Sequence, residues 1–98
     1  MFSALAFAQA PAAWEEPLAR HEWDKAESLL KAALAETETA PVLRGLAAVY
    51  RAKGRLDAAD PVLERLVVLD GSIANLEDLA RIKASLGILD RAESLYRR

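Results

Sequence analysis

The chain has 98 residues, of which 53% are hydrophobic and 29% charged, and 13 basic against 15 acidic residues give a formal net charge of −2. This balance excludes the basic stripe of a nucleic-acid binder, the absence of cysteine excludes disulfides and thiolate zinc sites, and no apolar run approaches the ~20 residues of a membrane-spanning helix. We therefore expect one packed domain, rich in helix-favouring alanine and leucine, with no nucleic-acid partner and no stable membrane span.

Residues 1–11 form an apolar segment unlike the rest of the chain, since the first charged residue is Glu15. The small residues of "AFA" at 6–8, or of "AQA" at 8–10, resemble the cleavage site of a secretory signal peptide, although the basic start of such a peptide is missing. Residues 1–8 would then be a signal remnant and the protein periplasmic or secreted. The alternative is a frayed, alanine-rich terminus of a cytoplasmic protein. In both cases folding should not need this segment.

The chain repeats itself with a spacing of 33 residues. The three copies are "WDKAESLL" at 23–30, "LDAADPVL" at 56–63 and "LDRAESLY" at 89–96. Within them an aspartate and an alanine recur in phase, at Asp24, Asp57 and Asp90 and at Ala26, Ala59 and Ala92. A fixed period of about 20–50 residues is typical of repeat architectures. We therefore predict a repeat domain over 12–98, with repeats at about 12–39, 40–72 and 73–98.

The first repeat contains a proline where its first helix is expected. Pro17 either kinks that helix or begins it as its first residue. The spacing of Ala26 and Leu30 is typical of a second helix. His21 aligns with the glycines at 54 and 87, at positions where a helix ends in a conformation with positive φ. We therefore expect His21 to end the first helix.

The apolar spacing at 40–53 of the second repeat predicts an amphipathic helix. Its buried stripe is Leu43, Leu46, Ala47 and Tyr50. Gly54 would end this helix and Asp57 would cap the next one. The dipeptide Asp60-Pro61 also fits a cap followed by a first-turn proline, but the alignment starts this helix about four residues earlier, and we adopt that start. The stripe of this second helix is Leu63, Leu66 and Val67, and Asp70-Gly71 ends it.

The third repeat follows the same plan. Its first helix has an apolar stripe of Leu76, Leu79 and Ala80, and Gly87 ends it. Asp90 then caps a last helix at roughly 89–98, whose inward stripe is Leu89, Ala92, Leu95 and Tyr96. That helix has one neighbour where an internal helix has two. We expect it to be the least protected part of the array, unless a homodimer or a downstream segment covers it.

These residues resemble the tetratricopeptide repeat, whose pattern over about 34 residues is W-x2-L-G-x2-Y, then A-x3-F, then P. The second repeat offers Leu43-x2-Leu46-Ala47-x2-Tyr50 and Ala59-x3-Leu63, and the third offers Leu76-x2-Leu79-Ala80-x2-Lys83 and Ala92-x3-Tyr96. The resemblance implies about three repeats and an all-α fold, in which antiparallel helix pairs stack as a short right-handed α-solenoid. It also implies that Ala26, Ala59 and Ala92 lie between paired helices. The chain departs from the pattern in its period of 33 and in Gly71, where the family usually has proline.

No motif for catalysis, for a cofactor or for a metal site is present. His21, Asp24 and Ser28 could share one helix face and imitate a catalytic triad, but a residue that ends a helix does not fit that arrangement. We therefore expect that the protein is not an enzyme and has no cofactor. Trp23 aligns with leucines of the other repeats and is interpreted as core. Trp14 stands where a small residue is expected and would cover the open end of the stack.

The family resemblance places a binding groove on the first helix of each pair. The residues assigned to this groove are Arg44, Ala48, Arg51, Glu77, Asp78 and Arg81. We predict that the groove binds a peptide or helix of another protein, with the three arginines holding its acidic residues. The alternative is an ordinary charged face in which Glu77 and Arg81 form an i,i+4 ion pair. A second function also fits the sequence: a structural, self-associating piece, or the end module of a longer multidomain protein.

Overall fold

The computed structural model of the chain describes residues 12–87 and is helical throughout this range, with no strand. The helices are α1 (Glu15–Ala19), α2 (Trp23–Glu36), α3 (Ala40–Ala52), α4 (Leu56–Leu69) and α5 (Ile73–Ser85). The predicted all-α class is therefore confirmed. The segment 1–11 and the predicted last helix at 89–98, with its cap Asp90 and its inward stripe, lie outside the described residues.

Each helix packs on the next one along the chain, from α1 to α5. The four connections have three residues each. Such short connections place consecutive helices antiparallel. The described part of the chain is thus a row of antiparallel helices in which α3, the central one, packs on both α2 and α4.

Two kinds of connection alternate along this row. After α1, α3 and α5 the backbone turns through a residue with positive φ: His21 at 61°, Gly54 at 74° and Gly87 at 83°. Before α3 and α5 a hydroxyl caps the new helix, because Thr39 accepts from the N–H of Val42 and Ser72 from that of Asn75, both at 3.4 Å. The turn with positive φ and the hydroxyl cap each recur after 33 residues. The prediction that His21 ends a helix is confirmed.

The core consists of two clusters that share α3 and α4. The first lies between α2, α3 and α4 and contains Ala26, Leu30, Val42, Leu46, Val49, Tyr50 and Ala59. The second lies between α3, α4 and α5 and contains Leu43, Ala47, Leu63, Leu66, Leu79 and Ile82. Ala26 and Ala59 are both 0% exposed. The predicted role of these alanines at contacts between paired helices is confirmed, and Ala92 lies outside the described residues.

Gly45 brings α2 and α3 close together. A Cβ atom at this position would lie 2.9 Å from Cδ2 of Leu30, closer than such atoms approach in proteins. Because Leu30 is itself fully buried, it has little room to move away. A glycine on α3 is therefore required by packing, although its backbone is ordinary helix.

The structure corrects two details of the predicted helix starts. Asp57 does not cap α4, because the residue before this helix is Arg55 and no side chain caps it; Asp57 lies in the first turn, where its charge still favours the helix dipole. The early start of α4 is confirmed, so Pro61 lies inside the helix. Pro17 neither kinks a long helix nor begins one. It is the third residue of the short α1, where its missing N–H costs no helical hydrogen bond.

Candidate functional site

The outward side of α3 carries a row of side chains that stay out of the core. Arg44, Ala48 and Arg51 follow one another at i, i+4 and i+7, and all three are exposed. The opposite stripe of the helix is buried in the two clusters, so this row is the face that α3 offers to solvent. The structure thus places three of the six predicted groove residues on one line.

Asp78 joins this row to α5. One of its carboxylate oxygens lies 3.9 Å from Nη1 of Arg51, and the other accepts a hydrogen bond from Nη1 of Arg81 at 3.2 Å. The i,i+4 pair between Glu77 and Arg81, which belonged to the alternative interpretation, is not formed. Arg81 pairs instead with Asp78, three residues before it, and Glu77 is exposed. We call the surface made by Arg44, Ala48, Arg51, Glu77, Asp78 and Arg81 the α3–α5 face.

Arg44 stands at the other end of the α3–α5 face. Its Nη2 atom lies 3.5 Å from a carboxylate oxygen of Asp70, and both side chains are about half exposed. Exposed ion pairs of this kind contribute at most ~1 kcal/mol to stability. The guanidinium of Arg44 therefore keeps most of its five donors for another acceptor.

A cavity of about 300 Å³ lies between α1 and α3, next to the α3–α5 face. Its lining residues are Trp14, Leu18, Pro41, Arg44, Gly45 and Ala48. The wall is mostly apolar, and Arg44 is the charged residue among those that line it. Trp14, which also packs against the first core cluster, thus forms part of an open cavity.

The alternative of a catalytic triad is not realised by the geometry. The ring of His21 stacks on that of Trp23, with centroids 4.8 Å apart. The carboxylate of Asp24 accepts a hydrogen bond from Lys53 at 2.7 Å. Trp23 packs against the first core cluster, as predicted. Among the described residues no group of three His, Asp or Glu side chains could hold a metal ion.

Two lysine clusters at the helix junctions were not anticipated from the sequence. Lys53, at the end of α3, donates to Asp24 and Glu27 of α2 at 2.7 and 2.9 Å. Hydrogen bonds from Lys53 and Lys31 lower the pKa of Glu27 from 4.5 to about 2. The carboxylate of Glu27 is thus held ionised between two cations.

The second cluster surrounds Lys83 on α5. Its Nζ atom lies 2.7 Å from oxygens of Asp60 and of Glu64, both on α4. Burial by itself would lower the pKa of Lys83, but its contacts with these two carboxylates outweigh it and raise the pKa. The sequence held a signal for this cluster, since Lys83 occupies an apolar position of the repeat and the two acids are four residues apart.

None of the helices between residues 12 and 87 is both long and apolar enough to cross a membrane.

The alternating connections, the 33-residue recurrence and the exposed face of α3 and α5 define an all-α helical-repeat protein. Residues 42–77, from the third residue of α3 to the fifth residue of α5, match the model of the tetratricopeptide repeat family. This segment is thus similar to a tetratricopeptide repeat, in agreement with the resemblance found in the sequence. No curated protein and no solved structure matches the chain. Tetratricopeptide repeats are typically protein-interaction modules without catalysis.

Proposed function

We propose that the chain binds a segment of a partner protein along the α3–α5 face and performs no chemistry of its own. The observation that carries this proposal is the contact of Arg51 with Asp78, which makes the exposed rows of α3 and α5 one surface. A partner segment lying across it can touch two successive helix pairs at once. Repeat proteins gain their binding surfaces in this way, by adding equivalent faces of neighbouring repeats.

The charges of the α3–α5 face favour a partner with carboxylates. Its three arginines have exposed or partly exposed acids as their present partners. An arginine that leaves its acid within the chain for a carboxylate of another protein loses little free energy, because exposed ion pairs are weak and screened by salt. Glu77 and Asp78 also lie on this face, so the partner should carry acids at the positions of the arginines rather than a uniformly acidic surface.

The test uses the full chain and begins with site-directed photo-crosslinking. A photoreactive amino acid replaces Glu77 on the α3–α5 face or, as the matched control, Ser28 on the exposed side of α2. Proteins joined to position 77 but not to position 28 are then purified and titrated against the chain. The variant with Arg44, Arg51 and Arg81 all changed to Gln should bind at least about tenfold more weakly, with a smaller dependence on salt.

The matched control for that titration changes Arg20, Arg55 and Arg65 to Gln, three exposed arginines that are not part of the α3–α5 face. We expect it to bind nearly as tightly as the unchanged chain. Equal affinity of the unchanged chain and the α3–α5 variant would refute the proposed function.

One observation favours self-association as a second candidate. Val68 and Ile73, on either side of the connection between α4 and α5, are 69% and 74% exposed. Large apolar side chains exposed close together are typical of contact sites. Light scattering over a hundredfold range of concentration tests this candidate. A mass that stays at one chain throughout, and equally so in Val68→Ser/Ile73→Ser, would remove it.

A further inference from the structure

The cavity between α1 and α3 exists because two neighbouring positions of α3 lack large side chains. Position 45 is a glycine because a Cβ atom there would lie 2.9 Å from the Cδ2 atom of Leu30. Ala48, one turn further along α3, is exposed. Opposite them stand the large side chains of Trp14 and Leu18. The result is an open hollow with an apolar floor and an aromatic wall.

The size and lining of this hollow match a side chain better than a cofactor. Its volume of about 300 Å³ is at the lower end of ligand pockets, which span about 300–1,000 Å³. An indole and a leucine side chain supply contact surface for an aliphatic or aromatic group. The hollow offers few polar groups to orient a polar small molecule.

Arg44 adds a charge at the edge of the hollow. Its contact with Asp70 is long, at 3.5 Å, and leaves the guanidinium about half exposed. A planar guanidinium can bind a carboxylate through two parallel hydrogen bonds, which are stronger than one long contact. An apolar side chain in the hollow would bring the next residue of its chain close to Arg44.

We propose that the cavity formed by Trp14, Leu18, Gly45 and Ala48 is a subsite for one leucine-sized side chain of a partner, and that Arg44 binds an aspartate or glutamate directly next to it in the partner's sequence. This inference rests on the proposed function, because it specifies the residues by which the partner enters the α3–α5 face. It adds an apolar determinant that the arginines alone do not provide.

The probe is the blocked peptide acetyl-Ser-Gly-Leu-Asp-Gly-Ser-amide, titrated into the 15N-labelled full chain. The readout is the indole N–H signal of Trp14, with that of Trp23 as the internal reference, since Trp23 packs against the first core cluster and does not line the cavity. We expect the Trp14 signal to shift in a saturable way. Replacing the peptide's leucine by alanine should weaken binding at least about tenfold, and replacing its aspartate by asparagine should weaken it several-fold.

Two variants of the chain test the two halves of the subsite. Ala48→Leu fills the hollow from an exposed position and should abolish the shift, whereas Ala52→Leu, one turn further along α3 and also exposed, should leave it unchanged. Arg44→Gln should make the aspartate and asparagine peptides bind equally, whereas Arg65→Gln on α4 should preserve the difference.

The subsite is refuted if Trp14 does not respond to the peptide, or if the leucine and alanine peptides bind alike. It is also refuted if the free chain shows Overhauser contacts between the Trp14 indole and residues 1–11, or a Trp14 shift that depends on protein concentration, since the chain itself would then fill the cavity. Peptide shifts confined to Arg51 and Arg81 would overturn the subsite but leave the proposed function standing. If Trp14 responded to the peptide but the triple arginine variant bound the partner as tightly as the unchanged chain, the subsite would stand and the proposed function would be refuted.

Discussion

The ammonium of Lys83 lies 2.7 Å from Oδ1 of Asp60 on the neighbouring helix, and Lys83 is 3% exposed. A charge so far from water is stable only with its counter-charges in place. Asp60 and Glu64 supply them from α4. The packing of α5 on α4 thus depends on an ionic contact beside the apolar one of the second core cluster.

Lys83→Met should therefore destabilise the chain by about 2–4 kcal/mol, because it removes the cation next to the largely buried carboxylate of Asp60. Urea denaturation measures the change in the free energy of unfolding. Adding Asp60→Asn to Lys83→Met should recover most of the loss. Arg81→Gln, which removes an exposed pair on the same helix, should cost less than about 1 kcal/mol. Similar losses for Lys83→Met and Arg81→Gln would contradict this account.

The stability of the chain should fall in acid because of Glu27. Its pKa in the folded chain is about 2, below the ordinary value of 4.5, so its contribution is complete above about pH 4.5 and is lost as the pH falls towards 2. We expect this loss to be on the order of 1–2 kcal/mol, since exposed lysines share in the cluster. Chemical denaturation between pH 6 and about pH 2 should show a smaller slope for Glu27→Gln. The exposed Glu36→Gln on the same helix is the control, and equal slopes for both variants would be the contrary result.

A large residue at Ala59 should disrupt the packing of α4 in the first core cluster. Ala59 is 0% exposed within the first core cluster, so Ala59→Arg should cost more than about 3 kcal/mol through overpacking and a buried charge. Ala52→Arg makes the same change at an exposed position of α3 and should cost little. Melting temperatures and urea midpoints compare the two. If both variants lost the same stability, the assignment of buried and exposed helix faces would be wrong.

The turn after α3 should need its glycine for backbone reasons alone. Gly54 has a φ of 74°, and a Cβ at this position would meet nothing within 4 Å. Gly54→Ala should therefore cost about 1–2 kcal/mol without any clash. Gly71→Ala is the matched control, because its φ is not positive and its Cβ would make an ordinary contact of 3.5 Å with the oxygen of Val67. We expect Gly71→Ala to be neutral or slightly stabilising in urea denaturation. If it lost more stability than Gly54→Ala, the positive φ of Gly54 would not be the reason for its glycine.

The helices and the buried stripes were predictable because they depend on spacing that a sequence displays directly. The alignment of His21 with Gly54 and Gly87 predicted that the first helix ends there, and the structure adds that all three residues have positive φ. The family match at 42–77 covers the part of the chain where the predicted pattern is most complete.

The missed features depend on distances between helices, which spacing does not give. Asp78, which pairs with Arg81, also lies 3.9 Å from Arg51 on α3, and a contact between two helices cannot be derived from the spacing along one of them. The cavity depends on the size of Trp14 relative to Gly45 and Ala48 across a helix contact. The six groove residues were proposed from helix faces alone, and their role in binding stays a prediction.

The backbone of this chain repeats after 33 residues, but the chemistry at its helix junctions does not. Lys83 stands where Tyr50 stands one period earlier, and its partners Asp60 and Glu64 correspond to Glu27 and Lys31. Lys31 lies close enough to Glu27 and to the Tyr50 hydroxyl for both to raise its pKa. If α3 and α5 exchanged places, a lysine would face Lys31 and a tyrosine would face two carboxylates. The two helices are therefore not interchangeable, because the charged residues at each junction match only one order of the repeats.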